Sequence, residues 1–232
     1  MNEGASEFDE VTTRLRILIG DVDVDKFIDG TESDTNNQKA IQIQSKLKGM
    51  RNQYKDAIIN GQQANKQFDG LQILTPNDQI ITGEEALLDM SMLDELTAAV
   101  KTGADVIMMR PEHYRKYKQL MRTFGGNTGA MMQIENFGRP VLAHDGVPII
   151  KNEYIKTSDA TGSGKKADIF ALHLDEANGF HGLFANQHAA GFDIEDIGTV
   201  QNKDATRTRI KMYTGAALKS TLSLAKISDV KI

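Results

Sequence analysis

The stretch DVDVDKFIDGTE, residues 21–32, carries carboxylates at the spacing of a calcium loop. Asp21, Asp23, Asp25, Asp29 and Glu32 fall at places 1, 3, 5, 9 and 12 of a twelve-residue loop, and Ile28 fits the apolar place 8. Oxygen ligands so placed would make the chain a calcium sensor or buffer. Two features argue against that chemistry. Place 6, where the sharp turn needs Gly, is Lys26, which resists positive φ and brings a cation beside the ion. The residues leading in alternate with period two, so a strand enters where a helix should. The aspartates then read as the wet face of a strand, with a calcium-binding module at 21–32 kept as the alternative.

Other reactive patterns are weaker. TGSGKK (161–166) suggests a phosphate loop, but the Gly expected five residues before the Gly of Gly-Lys is Asp159, and Lys166 follows where Ser or Thr should hold magnesium. The five histidines, His113, His144, His173, His181 and His188, show no metal-ligand spacing; His173 and His181 suit a cross-strand polar pair. There is no Gly-x-Ser-x-Gly turn, Ser91 and Ser163 have no neighbouring base in sequence, and no pair of the many carboxylates stands out for glycosidase chemistry. The absence of Cys excludes disulfides, thiolate metal sites and cysteine nucleophiles. No catalytic residue, metal ligand or cofactor site is assigned, and the chain reads as a non-enzyme.

Composition narrows the classes further. At 232 residues, 40% hydrophobic and 25% charged, the chain can bury a core. Its 20 Gly and 6% aromatic content suggest a thin or extended shape. A net charge of −5 disfavours a general nucleic-acid binder. Arg207, Arg209 and Lys211 do form one basic strand face, without interleaved aromatics, which reads as solubilising or salt-bridged. No apolar run nears a membrane span and no signal-peptide pattern opens the sequence, so a soluble protein made in the cytoplasm is expected.

The elements that would carry these residues can be read from periodicity. VTTRLRILIGDVDVD alternates from Val11, which indicates a long strand with one buried face, placing Leu15, Ile17 and Ile19 on one parity, and after Gly20 sets Val22 and Val24 against the aspartates. Ser33 or Asp34 should cap a helix of about 25 residues with Ile41, Leu47, Met50, Tyr54 and Ile58 on its stripe. Gly61 should stop it. Asp89 or Ser91 opens a second helix ending at Gly103, ADVIMM is a buried strand, and Pro111 opens a third helix ending at Gly125 and Gly126. Asp145-Gly146 marks a hairpin; DIFALHLDEANGFHGLFA predicts another, turning at Asn178-Gly179. TSDATGSGKKAD between them is expected to be an exposed loop, and TRTRIKMYTGAALKS a long strand. No internal repeat is present.

In this order the segments resemble the major capsid proteins of tailed bacteriophages, the Hong Kong 97-type fold, over nearly the whole chain. EVTTRLRILIGDVDVDKFI resembles the returning strand of that family's extended loop, and NNQKAIQIQSKLKGMRNQYKDAIINGQQANKQFDGL its spine helix and the turns after it. LDELTAAVKTGADVIMMRPEHYRKYKQLMRTFGG resembles the axial helix, strand and helix. GRPVLAHDGVPIIKNEYI, ADIFALHLDEANGFHGLFA and TRTRIKMYTGAALKSTLSLAKI resemble the hairpin, later axial strands and closing strand.

The resemblance implies an α+β chain: a peripheral domain with a long spine helix on a long-stranded antiparallel sheet, and a mixed α/β axial domain. Residues 1–20 would be a remnant of the extended loop, 21–75 and 193–219 peripheral, 76–192 axial, and 220–232 a strand returning to the axial domain. Beginning at MNEGASEF near the loop tip, the chain is expected to lack the N-terminal arm and outward loop strand. The implied function is structural: self-association as hexamers and pentamers into an icosahedral shell around packaged DNA, with the virion capsid as location and assembly in the host cytoplasm. Scaffolding, portal or decoration proteins and non-specific contact with packaged DNA are the implied partners, with no membrane. An encapsulin-like nanocompartment shell, enclosing cargo protein, is the related alternative.

Overall fold

A computed structural model describes residues 12–32, 37–123, 131–132, 140–161, 163–185 and 191–232. In chain order they form β1 (Arg16–Asp25), α1 (Lys26–Glu32), α2 (Gln38–Asn60), α3 (Leu71–Leu74), β2 (Ile80–Thr82), α4 (Met90–Ala99), β3 (Val106–Met109) and α5 (Pro111–Thr123). The β-rich remainder is β4 (Met131–Met132), β5 (Val141–His144), β6 (Val147–Lys151), β7 (Thr157–Asp159), β8 (Lys165–Leu172), β9 (Phe180–Phe184), β10 (Asp193–Thr199), β11 (Ala205–Leu218) and β12 (Leu224–Lys231).

A four-stranded antiparallel sheet runs β1-β11-β10, with β9 also on β11. The period-two pattern of β11 sorts its faces: Thr208, Ile210, Met212, Thr214 and Ala216 are buried, while Arg207, Arg209 and Lys211 turn the other way. α2 lies on the buried face, where Val22, Val24, Met50 and Ile210 form a core flanked by Ile43 and Leu47. The helix crowds the strand at Gly20, where an added Cβ would stand 2.4 Å from Lys46 Cε. The sequence pattern suggested that Leu15, Ile17 and Ile19 would face the core. The strand instead passes Gly20 without a slip in register. Leu18, Gly20, Val22 and Val24 therefore share the helix side, and Leu15, Ile17 and Ile19 are 45%, 62% and 53% exposed.

The entry to α2 also differs from expectation. Residues 26–32 are helical, and Asp25 accepts from the Phe27 amide at 2.8 Å. Ser33 and Asp34 lie outside the described residues; Asn37 caps α2, its side chain accepting from Ala40 N at 2.9 Å. Gly61 does follow the helix, but at φ −58°, so left-handed freedom is not its role. A Cβ there would lie 2.3 Å from the Phe68 carbonyl oxygen and 2.4 Å from that of Ala57. Close backbone packing requires the glycine.

The second sheet has eight strands, ordered β2-β12-β8-β3-β6-β5-β4 with β7 on β8, and is mixed: β12 is parallel to β2 and β3 to β6. α4 and α5 supply Leu93, Leu96 and Tyr117 to its core with Ile107, Met109, Ile149, Ile169 and Ile227. Asp89 is the α4 cap, accepting from Met90 N at 2.8 Å, and Pro111 opens α5. Gly125 and Gly126 lie outside the described residues. Asp145 and Gly146, at φ 47° and 78°, turn the β5–β6 hairpin as their types require.

Two local readings are corrected. TSDATGSGKKAD is not simply a loop, because β7 pairs with the start of β8 around Gly164, at φ 100°. Asn178-Gly179 does not join a hairpin: β8 stays in the eight-stranded sheet, whereas β9 pairs with β11 in the other. The intervening turn is organised by Asp175, whose carboxylate accepts from Asn178 N at 2.9 Å and whose carbonyl accepts from Gly179 N. Among the described residues no helix is long and apolar enough to cross a membrane.

Candidate functional site

The most organised polar surface is the face of the four-stranded sheet turned away from α2. Register sets Asp23 opposite Arg207 and Asp21 opposite Arg209. Each aspartate receives a two-pronged guanidinium: Arg207 Nε and Nη2 lie 2.6 and 2.8 Å from Asp23, and Arg209 Nε and Nη2 lie 2.8 and 3.0 Å from Asp21. β10 extends the ladder, with Lys211 Nζ 2.8 Å from Glu195 and 3.6 Å from Asp193. The hydrogen bond from Arg209 holds Asp21 below the usual carboxylate range, and that from Arg207 does the same for Asp23. The partners Arg207, Arg209 and Lys211 are shifted up, each first by its hydrogen bond to a carboxylate.

This ladder bears on two sequence readings. Arg207, Arg209 and Lys211 are all ion-paired, so the basic face is neutralised by its sheet neighbours. Of the five calcium-spaced carboxylates, Asp21 and Asp23 are engaged by arginines and Asp25 caps α1; the side chains of Asp29 and Glu32 lie outside the described residues. Residues 21–32 are strand then helix, with no ion loop between. Among the described residues no group of three or more His, Asp or Glu gathers as a metal site.

Beside the ladder on the same face, Ile17 sits opposite Tyr213 and Ile19 opposite Lys211, with Leu15 beyond. Apolar residues and a charge ladder thus share one exposed face. Sequence reasoning found the ladder's basic half but gave it no partners.

The histidines disperse. His173 Nδ1 lies 2.8 Å from Asp105 rather than pairing with His181, which is on β9 opposite Ala217. His144 Nε2 is 2.8 Å from Asp94, and Tyr117 donates to the Ala143 carbonyl at 2.8 Å beside it. His113 is buried with Nε2 3.2 Å from the Val230 carbonyl oxygen, and burial pushes its pKa down. His188 lies outside the described residues. Lys166, from the phosphate-loop candidate, is held 2.9 Å from both Glu85 and Asp229. That knot escaped the sequence because its three members are far apart along the chain, Glu85 and Lys166 by 81 residues, and only the fold brings them together.

No family model matches the chain, and no curated protein matches it. Solved structures do. The holo-SrpI encapsulin complex of Synechococcus elongatus superposes at a TM-score of 0.79 with 20% identity, covering 94% of this chain and 74% of that one. The capsid of a native GTA particle gives 0.66 at 13% identity over 99% and 78%. Mycobacterium phage Adephagia gives 0.60 at 11% over 98% and 78%. The chain has the Hong Kong 97-type capsid fold. In that fold α2 is the spine helix, and the ladder lies on the sheet beneath it.

Proposed function

We propose that this chain is the structural subunit of a tailed-phage capsid, self-associating as hexamers and pentamers into an icosahedral shell around packaged DNA. The observation that carries this reading is the fold match along essentially the full chain to capsid subunits. The reading assigns 21–75 and 193–219 to a peripheral domain, 76–192 to an axial domain around the symmetry axis, and 220–232 to a strand returning to the axial domain. β9, within 76–192, pairs with β11 and ties the two together. Head-to-tail contacts closing around symmetry axes need no catalytic group, and many modest interfaces acting together supply the free energy. Scaffolding, portal or decoration proteins and packaged DNA would be secondary partners, in a virion assembled in the host cytoplasm.

The likeness to an encapsulin favours a second reading, a nanocompartment shell enclosing protein. Electron microscopy with content analysis tests both. Rings or shells are expected; nuclease-protected DNA inside particles supports the capsid, and enclosed protein without nucleic acid supports the compartment. A folded monomer at every concentration rejects both.

A further inference from the structure

Between the start of β1, the second half of α2 and the turn that follows it lies a cavity of about 280 Å³. Arg16 and Thr214 line it from the sheet, standing opposite each other in the β1–β11 register on the side that faces α2. Tyr54 and Phe68 form an apolar wall with Leu18, the two ring centroids 6.1 Å apart.

Both sheet residues hold polar atoms that the fold leaves unused. Thr214 is 2% exposed, and its hydroxyl has no hydrogen-bond partner among the described residues. Arg16 Nε is likewise buried without an acceptor, and among the described residues no carboxylate pairs with its guanidinium. Buried donors are nearly always paired, because an unpaired one gives up its water without compensation. The same sheet shows what is missing. Arg207 and Arg209 each present Nε and Nη2 side-on to an aspartate, and Arg16 carries the same fork without the acid.

Charge points the same way. Lys66 also lines the cavity and has no carboxylate partner among the described residues. The acid on the wall, Asp56, accepts from Asn60 Nδ2 at 2.7 Å, so two cations face one anion that is already engaged.

We propose that this cavity is a binding site for a carboxylate carried on a small apolar or aromatic body. The carboxylate takes the fork of Arg16 and the Thr214 hydroxyl, Lys66 adds charge, and the body packs on Tyr54 and Phe68. At about 280 Å³ the cavity falls short of those that hold drug-sized ligands, so the body is small. A free organic acid and an acidic side chain of a neighbouring copy share this chemistry.

The probe is 3-phenylpropionate, with 3-phenylpropanamide as its uncharged counterpart, followed by saturation-transfer difference NMR, which reads binding to monomers and large particles alike. Saturable binding of the acid is expected, with the amide at least about tenfold weaker. Arg16→Gln should weaken the acid by at least about tenfold. Thr214→Val should also weaken it, while leaving the melting temperature of the free protein unchanged or higher, since the lost hydroxyl abandons no partner. Melting curves give a second reading: the acid should raise the Tm of the unaltered protein and not that of Arg16→Gln. Loss of binding on assembly marks a neighbouring copy's side chain as the natural occupant, and binding that persists marks a free acid. The proposal is overturned by no saturable binding in any state, by equal binding of acid and amide, by inorganic phosphate binding as tightly as the acid, or by unchanged affinity in Arg16→Gln.

Discussion

Asp21 and Asp23 each give both carboxylate oxygens to one guanidinium, and that pairing sets how they titrate. Their folded pKa values lie below the ordinary Asp value of about 3.9. The stabilisation is thus complete above that value and lost as pH falls through the folded values, because protonation breaks the pairs. Urea unfolding across the acid range should show stability dropping below about pH 4, and Asp21→Asn/Asp23→Asn should flatten that drop while lowering stability at neutral pH. The same pairing predicts no calcium site: calorimetry at about 1 mM calcium should give no binding heat, and measurable saturable heat would show that the arginines yield. At this scale the sequence was half legible. Parity marked Arg207, Arg209 and Lys211 as one face and the aspartates as another, but their partnership spans 184 and 188 residues. Only strand register, a tertiary property, brings them together.

Elements were legible where the signal is local. Asp145-Gly146 turned its hairpin because positive φ at both positions suffices to reverse a chain. Asn178-Gly179 carries the same chemistry, yet its arms join different sheets, since turn residues fix a reversal and not the strand beside which each arm settles. α2 was readable from its stripe, but its stop acts by packing. Gly61→Ala should therefore cost about 2 kcal/mol or more, as overpacking against two carbonyl groups, where a simple capping glycine would cost less. Thermal or urea unfolding of the variant measures this directly. The parity reading of β1 went astray for a related reason: apolar residues on both sides of Gly20 competed for the core, and unbroken pairing with β11 gave it to Leu18, Val22 and Val24.

At the scale of the molecule, the exposed Leu15, Ile17, Ile19 and Tyr213 beside a neutralised charge ladder suit a surface that is covered in an assembly. Ile17→Asp/Ile19→Asp should leave the fold intact by circular dichroism, because both side chains already face solvent, and should block self-association. The central claim is that this chain builds shells. Electron microscopy of the purified protein at high concentration tests it most directly: pentameric or hexameric rings or closed particles are the expected result, and a field of folded monomers at every concentration would contradict it.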